Sequence, residues 1–360
     1  MRLVSTPYLQ SGQQLARTIY SENGTVLLGV GVELTDRMIQ RLATYGIPGV
    51  YIEDKVSEGI IPEEAISEKT RSFAINTIYS TMTKLMDEPK SRQAILPLSI
   101  GKQYRDMIKL IMDELQAKPN SMINLTHIFS KDSYLYHHSV NVAITCITMG
   151  MSIGLNQPQL IDLGLGAILH DIGKVSVPSS ILNKPGPLNA EEWEVMMEHP
   201  RTGFDILRKN DEISLLGAHI ALQHHEKEDG SGYPRKMTGE DIHLYGKIAA
   251  IADVYEALTA SRPYKPPLPP HEAIEYIMGN GGHHFNYEMV KVFCRRMSPY
   301  PIGSTVHLST GETGIVTEVN PEHPLRPILR IIKNENQEPL TVPFDLDLRK
   351  RLTVLVTGVS

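Results

Sequence analysis

Apolar and polar positions change rhythm along this chain, and each change marks a different kind of structure. Residues 1–60 mix short β-rich runs with turn residues. A strand over 24–28 follows the turn signal Asn23-Gly24, a short helix starts at Leu34-Thr35-Asp36, and 49–52 reads as a further strand. From 61 to 120 the pattern becomes polar and helical: Ile75, Ile78, Met82, Leu85 and Met86 recur at three- and four-residue steps, and another helix is expected over 104–115. The stretch 121–298 is almost wholly helical, with helices predicted near 133–153, 157–170, 189–208, 212–225, 245–260, 270–279 and 286–297. Asn189, followed three residues later by Glu192, marks a helix start, because each side chain can satisfy the other's free backbone N–H. Beyond 301, the runs 304–308, 314–319 and 328–332 alternate or are β-branched between Gly, Pro and Asn turns, which predicts a small β domain to 360. The expected fold is mainly α: a helical domain over 121–298, preceded by a small α+β region (1–60) and a helical linker (61–120), and followed by a β domain (301–360).

Composition narrows the function classes. At 360 residues, with 41% hydrophobic and 21% charged positions, the chain has the make-up of an ordinary globular protein of more than one domain. A net charge of −6 argues against sequence-independent binding to long nucleic acid. It leaves room for a small anion held by local cations or metals. Cys146 and Cys294 lie far apart without a CxxC pair and read as reduced thiols. No run approaches the roughly 18 apolar residues of a membrane span, and the first residues lack a secretory core, so the cytoplasm is the expected location.

Chemistry concentrates in the helical stretch. Of fourteen histidines, the informative ones come as adjacent pairs, His170-Asp171 and His224-His225, with His138, His199 and Asp253 on neighbouring helices. His170-Asp171 follows the apolar run 163–169, where an uncompensated carboxylate costs several kcal/mol. A carboxylate can also offer its two oxygens to two metals, which makes Asp171 a candidate bridge. Imidazole and carboxylate without thiolate suit iron, manganese or zinc at an open hydrolytic site and not a closed structural zinc site.

These residues, in order, resemble one family. His170-Asp171-Ile172-Gly173-Lys174, His199-Pro200, His224-His225-Glu226, Asp229-Gly230-Ser231-Gly232-Tyr233-Pro234, Asp253 and Arg262-Pro263-Tyr264-Lys265 match the HD-GYP domain, a subgroup of the HD metal-dependent phosphohydrolases, across about 121–298. The resemblance implies hydrolysis of the bacterial second messenger cyclic di-GMP by a hydroxide bridging two metals. It implies one metal on His138, His170 and Asp253, the other on His199, His224 and His225, and Asp171 between them. His137 is set aside as a neighbour on a different helix face. Some family members reach a third metal through a glutamate one turn before the first histidine. Tyr134 stands there in this chain, so two divalent ions are expected, iron or manganese ahead of zinc, nickel or magnesium, with linear pGpG rather than GMP as product. Lys174 is expected to assist catalysis by offsetting charge on the phosphate or by positioning the attacking hydroxide, Arg262 and Lys265 to hold phosphates, and Asp132 either to contact substrate or to cap a helix. The Gly-Tyr-Pro loop is expected to shape the rim or to meet a signalling protein, and the assembly to be a homodimer. Two rival readings remain: a phosphohydrolase for another cyclic dinucleotide, and a receptor that binds cyclic di-GMP without cleaving it.

Overall fold

A computed structural model describes residues 1–20, 25–87, 98–118, 122–123, 134–184, 186–260 and 267–359. The N-terminal module opens with β1 (Arg2–Ser5), β2 (Gln14–Leu15), β3 (Ile19–Tyr20), β4 (Val26–Leu28), α1 (Asp36–Thr44) and β5 (Gly49–Glu53). β5 is the centre of a three-stranded antiparallel sheet ordered β1-β5-β2, while β3 and β4 pair separately. Both of its faces are covered, Val50 and Ile52 by the N-terminal core and Tyr51 by Arg17, so 49–52 is uniformly buried instead of alternating. Thr35 caps α1 by accepting from the Met38 N–H, and Leu42 packs under the sheet with Val4, Leu15, Val50 and Ile52. The turn Asn23-Gly24 lies outside the described residues.

α2 (Glu68–Asp87) and α3 (Leu98–Gln116) carry the next two periodic patterns. Ile75, Ile78, Met82 and Leu85 are buried as their spacing requires, whereas Met86 falls on the exposed edge. Tyr104, Met107, Ile108, Ile111 and Met112 line the inner face of α3. Both helices contribute to the same core as the helices that follow, so they frame the central domain as well as lead to it.

That domain consists of α4 (Tyr134–Ser152), α5 (Gln157–Ile168), α6 (Ser179–Leu182), α7 (Ala190–Met196), α8 (His199–Leu207), α9 (Leu215–Gln223), α10 (Leu244–Thr259), α11 (Pro270–Gly279) and α12 (Tyr287–Arg296). α5 packs between α4 and α9, and α10 lies across both α4 and α9. The capping box of Asn189 and Glu192 is formed, with 2.8 Å bonds in both directions. The single helix expected over 189–208 is instead broken into α7 and α8. The cause is Pro200, which has no N–H to give to the Met196 carbonyl and whose ring crowds that carbonyl.

The C-terminal sheet runs β10-β6-β7-β8-β9, antiparallel throughout, from β6 (Thr305–Leu308), β7 (Thr313–Glu318), β8 (Ile328–Lys333), β9 (Pro339–Asp347) and β10 (Val356–Val359). Val306, Leu308, Val316, Leu329 and Ile331 fill its core. β9 and β10 are the edges, and β9 carries Pro339 and Pro343, which an edge tolerates and a central strand does not. This sheet meets the N-terminal module where the Leu3 N–H donates to the Gly303 carbonyl (2.9 Å) and Arg330 Nη1 to the Glu58 carbonyl (2.6 Å).

Candidate metal centre

The last carbonyls of a helix have no intrahelical donor and must find one elsewhere. In this fold carbonyls at three helix ends find an imidazole. His170 stands two residues past the end of α5, with Nδ1 2.7 Å from the Ala167 carbonyl. His224 ends α9, with Nδ1 2.9 Å from the Ala221 carbonyl and 3.1 Å from that of Ile220. His199 uses the Met196 carbonyl, at 2.7 Å, the same group that Pro200 leaves without a donor. Because a carbonyl only accepts, the proton of each ring sits on Nδ1 and the lone pair on Nε2, which turns inward. His138 lies within α4 and uses another outward partner, Glu256, whose Oε2 is 2.8 Å from Nδ1.

The inward nitrogens converge. Nε2 atoms of His138 and His170 are 3.2 Å apart, and those of His199 and His224 are 3.3 Å apart. Lone pairs so close repel unless a proton or a cation lies between them. Asp171 straddles the two pairs. Its Oδ2 is 3.4 Å from His170 Nε2 and 3.8 Å from His138 Nε2, and its Oδ1 is 3.4 Å from His199 Nε2 and 3.8 Å from His224 Nε2. Asp253 on α10 also spans the centre, with Oδ1 3.1 Å from His138 Nε2 and Oδ2 3.8 Å from His225 Nδ1. Two groups of three can each hold an ion: His138, His170 and Asp171, and His199, His224 and His225.

Burial disfavours charge here, and the departures from that rule are informative. Burial holds His224 well below the ordinary imidazole range and pushes His225 down to about 3, so both offer neutral nitrogens. Burial opposes the charge on Asp171 as well, yet Lys174 and His170 hold it well below the usual carboxylate range; His138 does the same for Asp253. At His138 burial is outweighed by Asp253 and Glu256, which raise it to about 9. The carboxylates thus favour positive charge on the His138 side, while His224 and His225 offer neutral nitrogens on the other. Asp171 Oδ1 supplies the test of fit: it is buried and has no hydrogen-bond partner, a costly state for an ionised oxygen that a cation relieves. A nitrogen and oxygen donor set of this kind fits divalent ions.

Close packing fixes the frame. A Cβ on Gly173 would stand 2.0 Å from the His199 carbonyl oxygen, so only glycine lets the turn after Asp171 lie against the start of α8. Lys174 Nζ lies 2.5 Å from Asp171 Oδ2. Glu226, buried beside the second histidine pair, accepts from the Arg235 N–H (2.7 Å) and the Met237 N–H (2.9 Å), folding the loop back over the site. Gly232 in that loop passes so near Glu226 and Lys227 that a Cβ would meet backbone at 2.5 Å. Tyr233 then stacks on His225, with ring centroids 4.7 Å apart and planes at 27°, and Trp193 meets Tyr233 edge-on at 6.2 Å. The side chains of His225 and Lys174 are 24% and 21% exposed, against 4% or less for the other histidines of the centre and Asp171, so the centre opens on their side.

The structure brings together His138, His170, Asp171, Lys174, His199, His224, His225 and Asp253; His137 is buried and belongs to neither ligand group. Asp132, Arg262 and Lys265 lie outside the described residues. Sequence reasoning missed Glu256, Asn141 and the bracing role of Glu226. A signal existed: Asn141 is three residues after His138, and Glu256 three after Asp253, each a polar residue on the same face of an apolar helix as a candidate ligand.

Comparison with known proteins identifies related chains. Residues 109–289 match the HD domain family, and residues 305–360 match the KOW domain associated with HD domain. The chain is similar to a cyclic di-GMP phosphodiesterase of Pseudomonas aeruginosa, 36% identical over 225 residues, covering 61% of this chain and 54% of the relative. It is similar to the 3′3′-cGAMP-specific phosphodiesterase 2 of Vibrio cholerae, 37% identical, covering 54% and 37% respectively. It is also similar to a cyclic di-GMP phosphodiesterase of Thermotoga maritima, 40% identical, covering 46% and 45%. The chain therefore spans about half or less of the length of these relatives. Among solved structures, an HDG"Y"P protein from Bdellovibrio bacteriovorus aligns over 81% of this chain and 97% of its own, with 15% identity and a TM-score of 0.46. Among the described residues, no helix is long and apolar enough to cross a membrane.

Proposed function

This chain belongs to the HD domain family, and from that premise we propose that it is a metal-dependent phosphodiesterase that opens cyclic di-GMP to linear pGpG. The observation that carries the proposal is the centre itself: the Nε2 atoms of two histidine pairs facing one another across a buried carboxylate whose oxygen Oδ1 has no hydrogen-bond partner. His138, His170 and Asp253 would hold one divalent ion and His199, His224 and His225 the other, with Asp171 between them; iron or manganese is our expectation. Divalent ions there would supply Lewis acidity toward water and toward a phosphoryl oxygen.

The residues of the chain do the rest. Attack of water oxygen on phosphorus breaks the bond to the 3′ oxygen, which takes a proton and leaves, while the second water proton passes to solvent. The 5′ phosphate stays on the linear product. Lys174, beside Asp171 and on the open side, stabilises negative charge as it grows on the phosphoryl oxygens. Arg262 and Lys265 would grip the phosphates, Arg262 as a two-pronged donor, and Asp132 would contact the substrate. Tyr233 keeps His225 in place by stacking. The Gly-Tyr-Pro loop would also present a surface for a signalling protein, and the working unit would be a homodimer.

The similarity to a 3′3′-cGAMP-specific enzyme supports a second reading, in which the mixed cyclic dinucleotide is the substrate. One experiment addresses both. Protein purified without oxygen is assayed for metal content and for products from cyclic di-GMP and from 3′3′-cGAMP. Two ions per chain and pGpG formation are expected. Turnover of 3′3′-cGAMP alone would favour the second reading, and tight binding of cyclic di-GMP without turnover, with metal present, would make the protein a receptor.

A further inference from the structure

Glu256 is fully buried on α10, and a buried carboxylate needs a donor at each oxygen. His138 Nδ1 serves Oε2, and Asn141 Nδ2 serves Oε1 at 3.0 Å. Asn141 sits one turn after His138 on α4, also buried. An asparagine amide has two orientations of nearly the same shape, and only one of them gives Glu256 a donor. Turned over, the amide would set Oδ1 against the carboxylate. What selects the working orientation comes from α2, seventy residues away: Arg71 Nη1 donates to Asn141 Oδ1 at 2.7 Å. A guanidinium only donates, so it fixes the oxygen end of the amide and hence the nitrogen end.

We propose that Arg71 is a positioning residue for the first metal position, acting through Asn141 and Glu256 on His138; this rests on the metal-centre reading above. Arg71 is itself placed by Glu64, whose Oε2 is 3.7 Å from Arg71 Nη2 and whose Oε1 pairs with Arg17 of the N-terminal module. Arg17 in turn donates to the Pro62 carbonyl (2.6 Å) and lies over the ring of Tyr51, 4.2 Å from its centroid. Ion uptake at the His138 side is therefore tied to the N-terminal module, while the His199, His224 and His225 side holds its rings through backbone carbonyls and a stacked tyrosine.

Removing partners that orient a metal ligand typically weakens metal binding about 10- to 100-fold. The test uses the full chain stripped of metal and titrated with cobalt, whose visible absorption reports its coordination. Arg71→Ala is expected to weaken one of two sites at least about 10-fold and leave the other unchanged. Arg71→Lys, which keeps a donor, should lie close to wild type. The double variant Arg71→Ala with Asn141→Leu should bind no more weakly than Asn141→Leu alone, because both break one relay. Wild-type affinity at both sites in Arg71→Ala, or equal weakening at both sites with a lowered melting temperature of the metal-free protein, overturns the proposal. A wild-type chain that takes up no ion overturns the metal-centre reading and this inference with it; a chain that takes up two ions and is indifferent to Arg71→Ala overturns this inference alone.

Discussion

Replacing Asp171 by Asn separates what this residue does for folding from what it does for metal. The two side chains have the same shape, so packing is conserved. In the metal-free protein the amide oxygen can take the place of Oδ2 beside Lys174, and the amide nitrogen can donate where Oδ1 has no partner, toward His199 Nε2 at 3.4 Å. Relieving an unpartnered buried acceptor returns about 1–3 kcal/mol, and weakening a charge-assisted bond to Lys174 costs about as much. The metal-free variant should therefore melt within a few degrees of wild type. With metal the two diverge. An ion present at a hundred times its dissociation constant stabilises the fold by about 2.7 kcal/mol, which raises Tm by roughly 4 °C at about 1.3 °C per kcal/mol for a chain of this length. The neutral amide of the Asp171→Asn variant supplies no bridging anion, so both ions should lose affinity and the metal-dependent rise should nearly vanish, together with turnover. Differential scanning calorimetry with and without manganese reads all of this. A variant whose melting temperature rises with metal as much as that of wild type would refute the proposed bridging role of Asp171.

Three further outcomes follow from the same geometry. Lys174→Met should lower kcat about 100-fold, in keeping with the loss of one charge-stabilising group, while both ions remain bound by metal analysis. Glu226→Ala leaves the Arg235 and Met237 amides without their acceptor; a stability loss of about 2–3 kcal/mol in urea, with faster hydrogen exchange at those two amides, is expected. Burial pushes His284, stacked on Phe285, down to about 4, so the unfolded chain binds a proton there that the folded one refuses. Its contribution is complete above the unfolded value of about 6.5 and is lost as pH falls toward 4. His284→Gln should accordingly flatten the fall of Tm with pH in that window.

The sequence made parts of this account readable and concealed others for physical reasons. Helix existence followed from period, as in α4, α5 and α10, where every turn returns an apolar residue to the core. The break between α7 and α8 was hidden because apolar spacing continues across Pro200, and the proline was read as part of a motif instead of a missing donor. β9 escaped notice because it is an edge strand with two prolines and an exposed outer face, so nothing forces alternation on it. The candidate ligands were legible as paired histidines and aspartates. What they need from outside was legible only in part: Asn141 and Glu256 share a helix face with a ligand, but carbonyl partners exist only once helices end, and Arg71 reaches Asn141 from a helix far away in the chain.

Nitrogen NMR of histidine-labelled, metal-free protein, followed through a zinc titration, tests the inward convergence of the rings most directly. His170, His199 and His224 should each carry the proton on Nδ1, and their Nε2 signals should move as zinc is added until two ions per chain are bound. Protons on Nε2 in these three rings, or Nε2 signals that stay fixed while zinc binds, would contradict it.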